Sequence, residues 1–395
     1  MSQNAEKVIH LIAAARPNFM KIAPLYHALL KEPWATAVIV HTGQHYDLNM
    51  SDVFFQDLGL PEPHIHLGVG SGSHAEQTGQ VMMAYERILL DKRPDLVIVV
   101  GDVNSTMACT LAAVKMTYPQ SAEAMPARLK SLEKTAERIQ TVNRPLVAHL
   151  EAGLRSFDRA MPEEINRMVT DAVADILWTP SPDGDEHLLK EGIPREKIQR
   201  VGNIMIDSLE MLRETIQAQN AYREMGLGSG EYGLVTLHRP SNVDDPLILN
   251  DLCHALVRIS KRIPLVFPVH PRTRKNLENL DLFEFLQEEK GIILSEPINY
   301  VRFMNLVFNC RFALTDSGGI QEETSYLGIP CLTLRPNTER PITITMGTNR
   351  MCTLEDLEKN VAEILSRKNS KQVKIDLWDG QTAGRVVESI RHFLK

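Results

Sequence analysis

The chain has 395 residues, 43% hydrophobic and 24% charged, with a formal charge of −7. That length accommodates two or three domains at roughly 150 residues each. The acidic balance argues against nucleic-acid binding, which calls for a basic patch. Five cysteines, Cys109, Cys253, Cys310, Cys331 and Cys352, stand far apart with no CxxC pair. They argue against a disulfide framework or a zinc site and fit reduced, mostly buried thiols in a cytoplasmic protein.

Met1 to Lys7 is polar, without the apolar core of a signal peptide. No apolar run reaches the ~20 residues that a membrane-spanning helix needs, so no membrane partner is expected. From Val8 to Ala13 the chain is apolar at nearly every position, and it is so again at Ala37 to His41, Leu96 to Val100, Leu146 to Leu150 and Ile176 to Trp178. Such runs suit strands buried on both faces, and their alternation with helical patterns predicts parallel sheets. Between them, Gly68-Val69-Gly70-Ser71-Gly72 follows no strong strand and reads as a loop rather than a dinucleotide fingerprint. Thr117 to Arg144 is polar and reads as a surface excursion.

The pattern pauses near Val201-Gly202-Asn203 and restarts. Tyr232 to Leu237, Leu265 to Val269, Ile292 to Leu294, Phe312 to Thr315 and Cys331 to Leu334 form a second set. The expected fold is therefore α/β, with two similar Rossmann-like domains whose parallel sheets face a central cleft. At the end, Val386, Val387, Ile390, Phe393 and Leu394 share one helical face that could pack on either domain.

In open α/β sheets, ligands sit outside the carboxyl ends of strands. Thr315-Asp316-Ser317-Gly318-Gly319 is a strand end running into a turn and then a helix. Backbone N–H groups at a helix start attract anions, and glycines admit a phosphate closely. Ser317 adds a hydroxyl, and Glu323, four residues past Gly319, suits ribose hydroxyls from the same helix face. A plain capped helix would read the same way. Arg16 and Lys21, after the first strand, could hold a phosphate or leaving group, or be solvated surface charge. Asp102, Glu151 and Glu163 follow other strand ends or open a helix behind Pro162. Each alone is commonly a helix cap; together they could act as general acid and base. His238 and His270 end two strands of the second set, each with an arginine nearby. A lone histidine is more often structural, but two at equivalent positions favour a site.

Taken together, ARPNFMK, HTGQHYD, GDVNST, HLEAGLRS, MPEEINR, VGNIMIDSL, VTLHRPSN, PVHPRT, TDSGGIQEE and LRPNTERP resemble the non-hydrolysing UDP-N-acetylglucosamine 2-epimerases in content and order. The resemblance implies a glycosyltransferase-B-like fold, with domains at 1–204 and 205–379 and a C-terminal helix at 380–395 completing the first. It implies interconversion of UDP-N-acetylglucosamine and UDP-N-acetylmannosamine through a 2-acetamidoglucal, for cell-surface polysaccharide precursors. No metal or nicotinamide cofactor is implied, and the partners are the UDP-sugar and a second copy in a homodimer.

By position, the resemblance makes Asp102, Glu151 and Glu163 acid/base carboxylates and His238, the cleft histidine of the second domain, a further catalytic residue. Arg16 and Lys21 become leaving-group cations. Ser317, Gly318 and Glu323 become pyrophosphate and ribose contacts, with Gly319, Arg335, Arg155 and His270 among the substrate-binding residues. The family's usual GTRPE reads Ala14-Ala15-Arg16-Pro17-Asn18 here, and Gln44-His45-Tyr46-Asp47 lacks the second glutamine that accompanies activation by substrate. Other readings are a hydrolysing 2-epimerase, a 2-epimerase of a modified sugar such as a UDP-diacetamido uronic acid, a retaining glycosyltransferase of the same fold and a non-catalytic sensor.

Overall fold

The computed structural model describes residues 6–43, 55, 57–118, 143–367 and 374–394. Gln44 to Asp47 and most of the Thr117–Arg144 excursion lie outside the described residues. The chain divides into two compact units, Met1–Ser208 with Asp379–Lys395, and Leu209–Trp378.

Among the described residues of the first unit seven strands make one parallel sheet: β1 (Lys7–Ala13), β2 (Ala35–His41), β3 (Ile65–His66), β4 (Leu96–Val100), β5 (Leu146–Leu150), β6 (Ile176–Thr179) and β7 (Ile198–Arg200). They lie in the order β3-β2-β1-β4-β5-β6-β7. β4 and β5 are buried at every position, as strands covered on both faces must be. Crossovers run through α1 (Arg16–Leu29), α2 (His74–Lys92), α3 (Asn104–Val114), α4 (Pro162–Val173) and α5 (Pro182–Lys190). The glycine-bearing loop before α2 ends in a capping box: Ser73 Oγ accepts from Glu76 N–H, and Glu76 accepts from Ser73 N–H. β3 and β7, of two and three residues, were not anticipated from sequence, because so short a run carries no readable period.

The boundary between the units falls inside α6 (Ile204–Gln217). Among the described residues the second unit has six strands: β8 (Gly233–Thr236), β9 (Leu265–Pro268), β10 (Ile292–Ser295), β11 (Phe312–Thr315), β12 (Cys331–Thr333) and β13 (Asn349–Met351). All pair in parallel, in the order β10-β9-β8-β11-β12-β13. Its helices include α7 (Pro246–Ser260), α8 (Pro271–Asn279), α9 (Tyr300–Asn309), α10 (Gly318–Leu327) and α11 (Leu357–Ser366). Strand order reverses between β1 and β4 in one sheet and between β8 and β11 in the other. These are the switch points at which open sheets leave a crevice.

The last helix, α12 (Thr382–Leu394), belongs to the first unit and buries Val386, Val387 and Ile390 there. Asp207 caps it, accepting from Thr382 N–H at 3.1 Å and Ala383 N–H at 2.8 Å. Trp178 on β6 donates to Ser389 at 2.8 Å, and the Arg391 guanidinium lies over Trp34. All five cysteines are buried free thiols, and burial raises the thiol pKa of each.

Candidate functional site

The polar residues of the first unit converge at the carboxyl ends of β1, β4 and β5. Asn18, in the first turn of α1, organises the exit from β1. Its carbonyl accepts from Ala14 N–H and Ala15 N–H, and its amide donates to Val100 O at 3.1 Å. A glutamate there could accept but could not donate to Val100, so asparagine ties two strand ends together at a position where the related motif carries an acid.

One turn on, the buried Lys21 ammonium pairs with the Glu151 carboxylate, which is 6% exposed. Lys21 is thus no solvated surface charge, whereas Arg16 at the helix start is exposed. Gly101 closes over this pair with φ +67°, and a Cβ there would lie 2.9 Å from Lys21 Nζ and 3.6 Å from Glu151 Oε2. Both the left-handed backbone and the missing Cβ are needed at that position. Glu151 itself holds φ +78°, an uncommon conformation for a residue with a side chain.

Asp102 follows Gly101, and its side chain is 34% exposed. The buried Arg167 donates to Asp102 through Nη1 and to Glu164 through Nε at 3.1 Å and Nη2 at 2.7 Å. Glu164 also accepts from Ser156 N–H, Ser156 Oγ and Phe157 N–H. Burial pushes its pKa up, but these donors outweigh burial and leave it below the usual value. The two glutamates that open α4 therefore divide: Glu164 is consumed in holding the Ser156–Phe157 loop, and Glu163 stays half-buried. Asn166 donates to Asp102 O at 2.9 Å and so fixes the same turn from α4.

Arg155 is 1% exposed, and its nitrogens donate to Glu191, Asp171 and Leu154 O. Asp171 in turn holds His149, the fourth residue of β5.

In the second unit, β8 and β11 end side by side. Asp316, wholly buried, accepts from His238 N–H, Arg239 N–H at 2.8 Å and Asn242 Nδ2 at 3.0 Å. His238 Nδ1 lies 3.0 Å from Asp316 Oδ1. Burial opposes ionisation of Asp316, but His238, Arg239 N–H and Asn242 hold its pKa below the ordinary value. The carboxylate faces the β8 loop and fixes His238. The His270 ring lies 5.4 Å from that of His238, and its Nδ1 caps α8 by accepting from Arg272 N–H. Burial, followed by the neighbouring His238, lowers the His270 pKa.

Ser317 precedes the first turn of α10 without a side-chain cap bond, and its own N–H donates to Thr315 Oγ1 at 2.9 Å. A Cβ on Gly318 would meet Glu339 Oε1 at 2.7 Å and Arg340 Nη1 at 2.8 Å, whereas one on Gly319 would meet nothing within 4 Å. Glu323 is 4% exposed and accepts from Tyr300 Oη at 2.7 Å. Burial carries its pKa up to about 7 despite that bond. Arg335, 8% exposed, pairs with Glu339 at 2.9 Å, and Glu339 also pairs with Arg340. Burial raises the Glu339 pKa, but the two arginines overcome it and bring it to about 2.

The first unit thus brings together Lys21, Glu151 and Asp102, and the second brings together His238, His270 and Asp316. Arg167, Asn166, Asp171, Asn242 and Tyr300 were not singled out from sequence. Arg167 could have been, since it stands three residues past Glu164 on one helix face. The others reach their partners from sites far off in sequence, and no local spacing announces them.

Two open parallel sheets, each with polar residues gathered at its switch point, define an α/β protein of glycosyltransferase-B-like fold. A family model described as UDP-N-acetylglucosamine 2-epimerase matches residues 27–144 and 135–391. The UDP-N-acetylglucosamine 2-epimerase of Methanocaldococcus jannaschii is 37% identical, covering 97% of this chain and 99% of that one. The UDP-2,3-diacetamido-2,3-dideoxy-D-glucuronate 2-epimerase of Pseudomonas aeruginosa is 39% identical, covering 86% of each. A crystal structure of the M. jannaschii enzyme in complex with UDP-GlcNAc and UDP superposes with a TM-score of 0.81 at 36% identity, covering 98% of this chain and 99% of that one. The chain belongs to the UDP-N-acetylglucosamine 2-epimerase family. That is a family of isomerases acting on nucleotide sugars. Among the described residues, no helix is long and apolar enough to cross a membrane.

Proposed function

We propose that the chain is a non-hydrolysing UDP-N-acetylglucosamine 2-epimerase that interconverts UDP-GlcNAc and UDP-ManNAc. The observation that carries this reading is the convergence of Lys21, Glu151 and Asp102 around Gly101. Inversion at C2 needs a group that takes a proton from carbon and a group that returns one, with a cation for the departing diphosphate. That cluster holds two carboxylates and an ammonium.

In the proposed reaction a carboxylate takes the C2 proton and the C1–O bond to UDP breaks. The C1–C2 double bond of a 2-acetamidoglucal forms, and UDP leaves with the electron pair. The return step adds a proton to the opposite face of C2 while a UDP oxygen re-forms the bond to C1. Asp102, Glu151 and Glu163 are the proposed acid and base groups. Arg16 and Lys21 stabilise the charge on departing UDP. In the second unit Ser317, Gly318 and Gly319 take the diphosphate at the start of α10, Glu323 takes the ribose, His270 and Arg335 complete the nucleotide contacts, and His238 joins the carboxylates as a catalytic residue. Arg155, enclosed by Asp171 and Glu191, contributes by bracing the loop after β5 rather than by touching substrate. The reading carries with it a cytoplasmic homodimer that supplies cell-surface polysaccharide precursors.

Incubation with UDP-GlcNAc in deuterated water, followed by NMR, tests this. Deuterium at C2 in both UDP-sugars is the expected result. Free N-acetylmannosamine would replace it with a hydrolysing enzyme, and no exchange would remove UDP-GlcNAc as substrate. A second reading, a 2-epimerase of a UDP-2,3-diacetamido uronic acid, is favoured by the 39% identity to the Pseudomonas enzyme. The same experiment with that sugar nucleotide decides it.

A further inference from the structure

His149 is fully buried on β5, and both its ring nitrogens face acceptors. Nε2 lies 2.9 Å from Gly101 O, and Nδ1 lies 2.6 Å from Asp171 Oδ1. A carbonyl oxygen only accepts, so Nε2 carries a proton. Asp171 Oδ2 already accepts from Gly153 N–H at 3.1 Å and Arg155 Nη1 at 2.7 Å. Burial works against ionisation of Asp171, yet His149 and Arg155 outweigh it and hold its pKa below the usual value. Oδ2 of Asp171 is thus taken, and Oδ1 is the oxygen left to face Nδ1. The buried row runs His149, Asp171, Arg155, Glu191, with Glu191 35% exposed at its outer end.

The two ends of the imidazole reach different pieces of the proposed machinery. Nε2 grips the carbonyl of Gly101, the left-handed residue that lies against Lys21 and Glu151 and precedes Asp102. Nδ1, through Asp171, grips Gly153 N–H, two residues past Glu151. Glu151 itself sits at φ +78°, a conformation its own side chain does not favour and the surroundings must impose.

We propose that His149 is a positioning residue: hydrogen-bonded through both ring nitrogens, it locks the Gly101–Asp102 turn to the Glu151–Gly153 turn and so fixes the spacing of the two reacting carboxylates. This rests on the epimerase reading for the meaning of that spacing, but the lock itself does not. An error of about 1 Å in the placement of reacting groups costs on the order of 10²-fold in rate.

The test is H149N, whose short amide can still donate toward Asp171 but cannot reach Gly101 O. The expected result is a kcat lowered about 10–100-fold, with KM and the Kd for UDP within about two-fold of wild type. Amide hydrogen exchange should quicken in peptides covering Gly101–Asn104. H149Q, long enough to donate to Gly101 O, should recover part of the kcat. In ¹⁵N NMR of the wild-type protein, Nε2 of His149 should carry a proton. Unchanged kcat and unchanged exchange in folded H149N would overturn the proposal, as would a His149 Nε2 that carries no proton in the wild type. If H149N does not fold, D171N with the same readouts takes its place. Wild-type protein that exchanges no deuterium at C2 would overturn the epimerase reading instead, and the exchange and NMR readouts would still decide the lock.

Discussion

Lys21 reaches from the first turns of α1 to the carboxylate of Glu151 at the end of β5, and both side chains are more than nine-tenths buried. A surface pair of this kind contributes little. A buried pair behaves differently, because removing one partner strands a charge away from water.

Lys21→Met should therefore destabilise the first unit by about 3–5 kcal/mol. Adding Glu151→Gln should recover much of that loss, since the carboxylate that lost its ammonium is gone. Turnover should remain abolished in both variants. Denaturant unfolding of both singles and the double checks this, and strictly additive losses would show that the pair is not coupled.

Asp102→Asn keeps the shape of a side chain held by Arg167 but cannot exchange a proton as a carboxylate does. Turnover should fall about 10²–10⁴-fold, while the Kd for UDP stays unchanged. Near-wild-type deuterium incorporation at C2 would remove Asp102 from the reaction.

The glycines at the start of α10 give a paired experiment. Gly319→Ala introduces a methyl group into open space, and Gly318→Ala drives one into Glu339 and Arg340. The first variant should keep its thermal midpoint yet bind UDP more weakly, because only the ligand meets the methyl group. The second should lose both stability and UDP affinity. Calorimetric unfolding and UDP titration of each variant separate the two effects.

Glu323 titrates near 7 in the folded chain against an ordinary 4.5. The folded state therefore holds this proton more tightly, so stability falls as pH rises from about 4.5 to 7, in total by on the order of 3 kcal/mol. UDP affinity should move the other way and strengthen as pH rises through 7, because the carboxylate is the form that accepts from ribose hydroxyls. Glu323→Gln should flatten both profiles and weaken UDP binding above neutrality. UDP titrations across that range check the prediction.

His10 and His41 are buried on adjacent strands, and burial lowers each pKa from 6.5 to about 4. Their folded pKa values lie below the unfolded ones. The stability they contribute is complete above about 6.5 and is lost as pH falls toward 4. His10→Phe should shallow the acid limb of the stability curve, as measured by denaturant midpoints down the pH scale.

Much of the fold was legible in the chain. Runs such as Leu96 to Val100 are apolar throughout because both faces of a parallel strand are covered, and their ends mark where ligand-facing residues stand. The polar residues that follow those runs could be named, and the ordered motifs carried the family. The sequence could not separate Glu163 from Glu164, since both open the same helical turn. It also placed Asp316 with the phosphate-binding turn, whereas its carboxylate faces the β8 loop and His238.

By itself, then, the sequence determined the α/β class, the strand ends and the family, because buried strands, glycine turns and caps are written in neighbouring residues. Only the tertiary structure decided which polar groups are paired: Lys21 with Glu151, Arg167 between Asp102 and Glu164, His149 between Gly101 and Asp171. Those partners stand up to 130 residues apart. They meet because adjacent parallel strands bring distant loops to one edge of a sheet, and no local pattern records which side chain will be there to receive the charge.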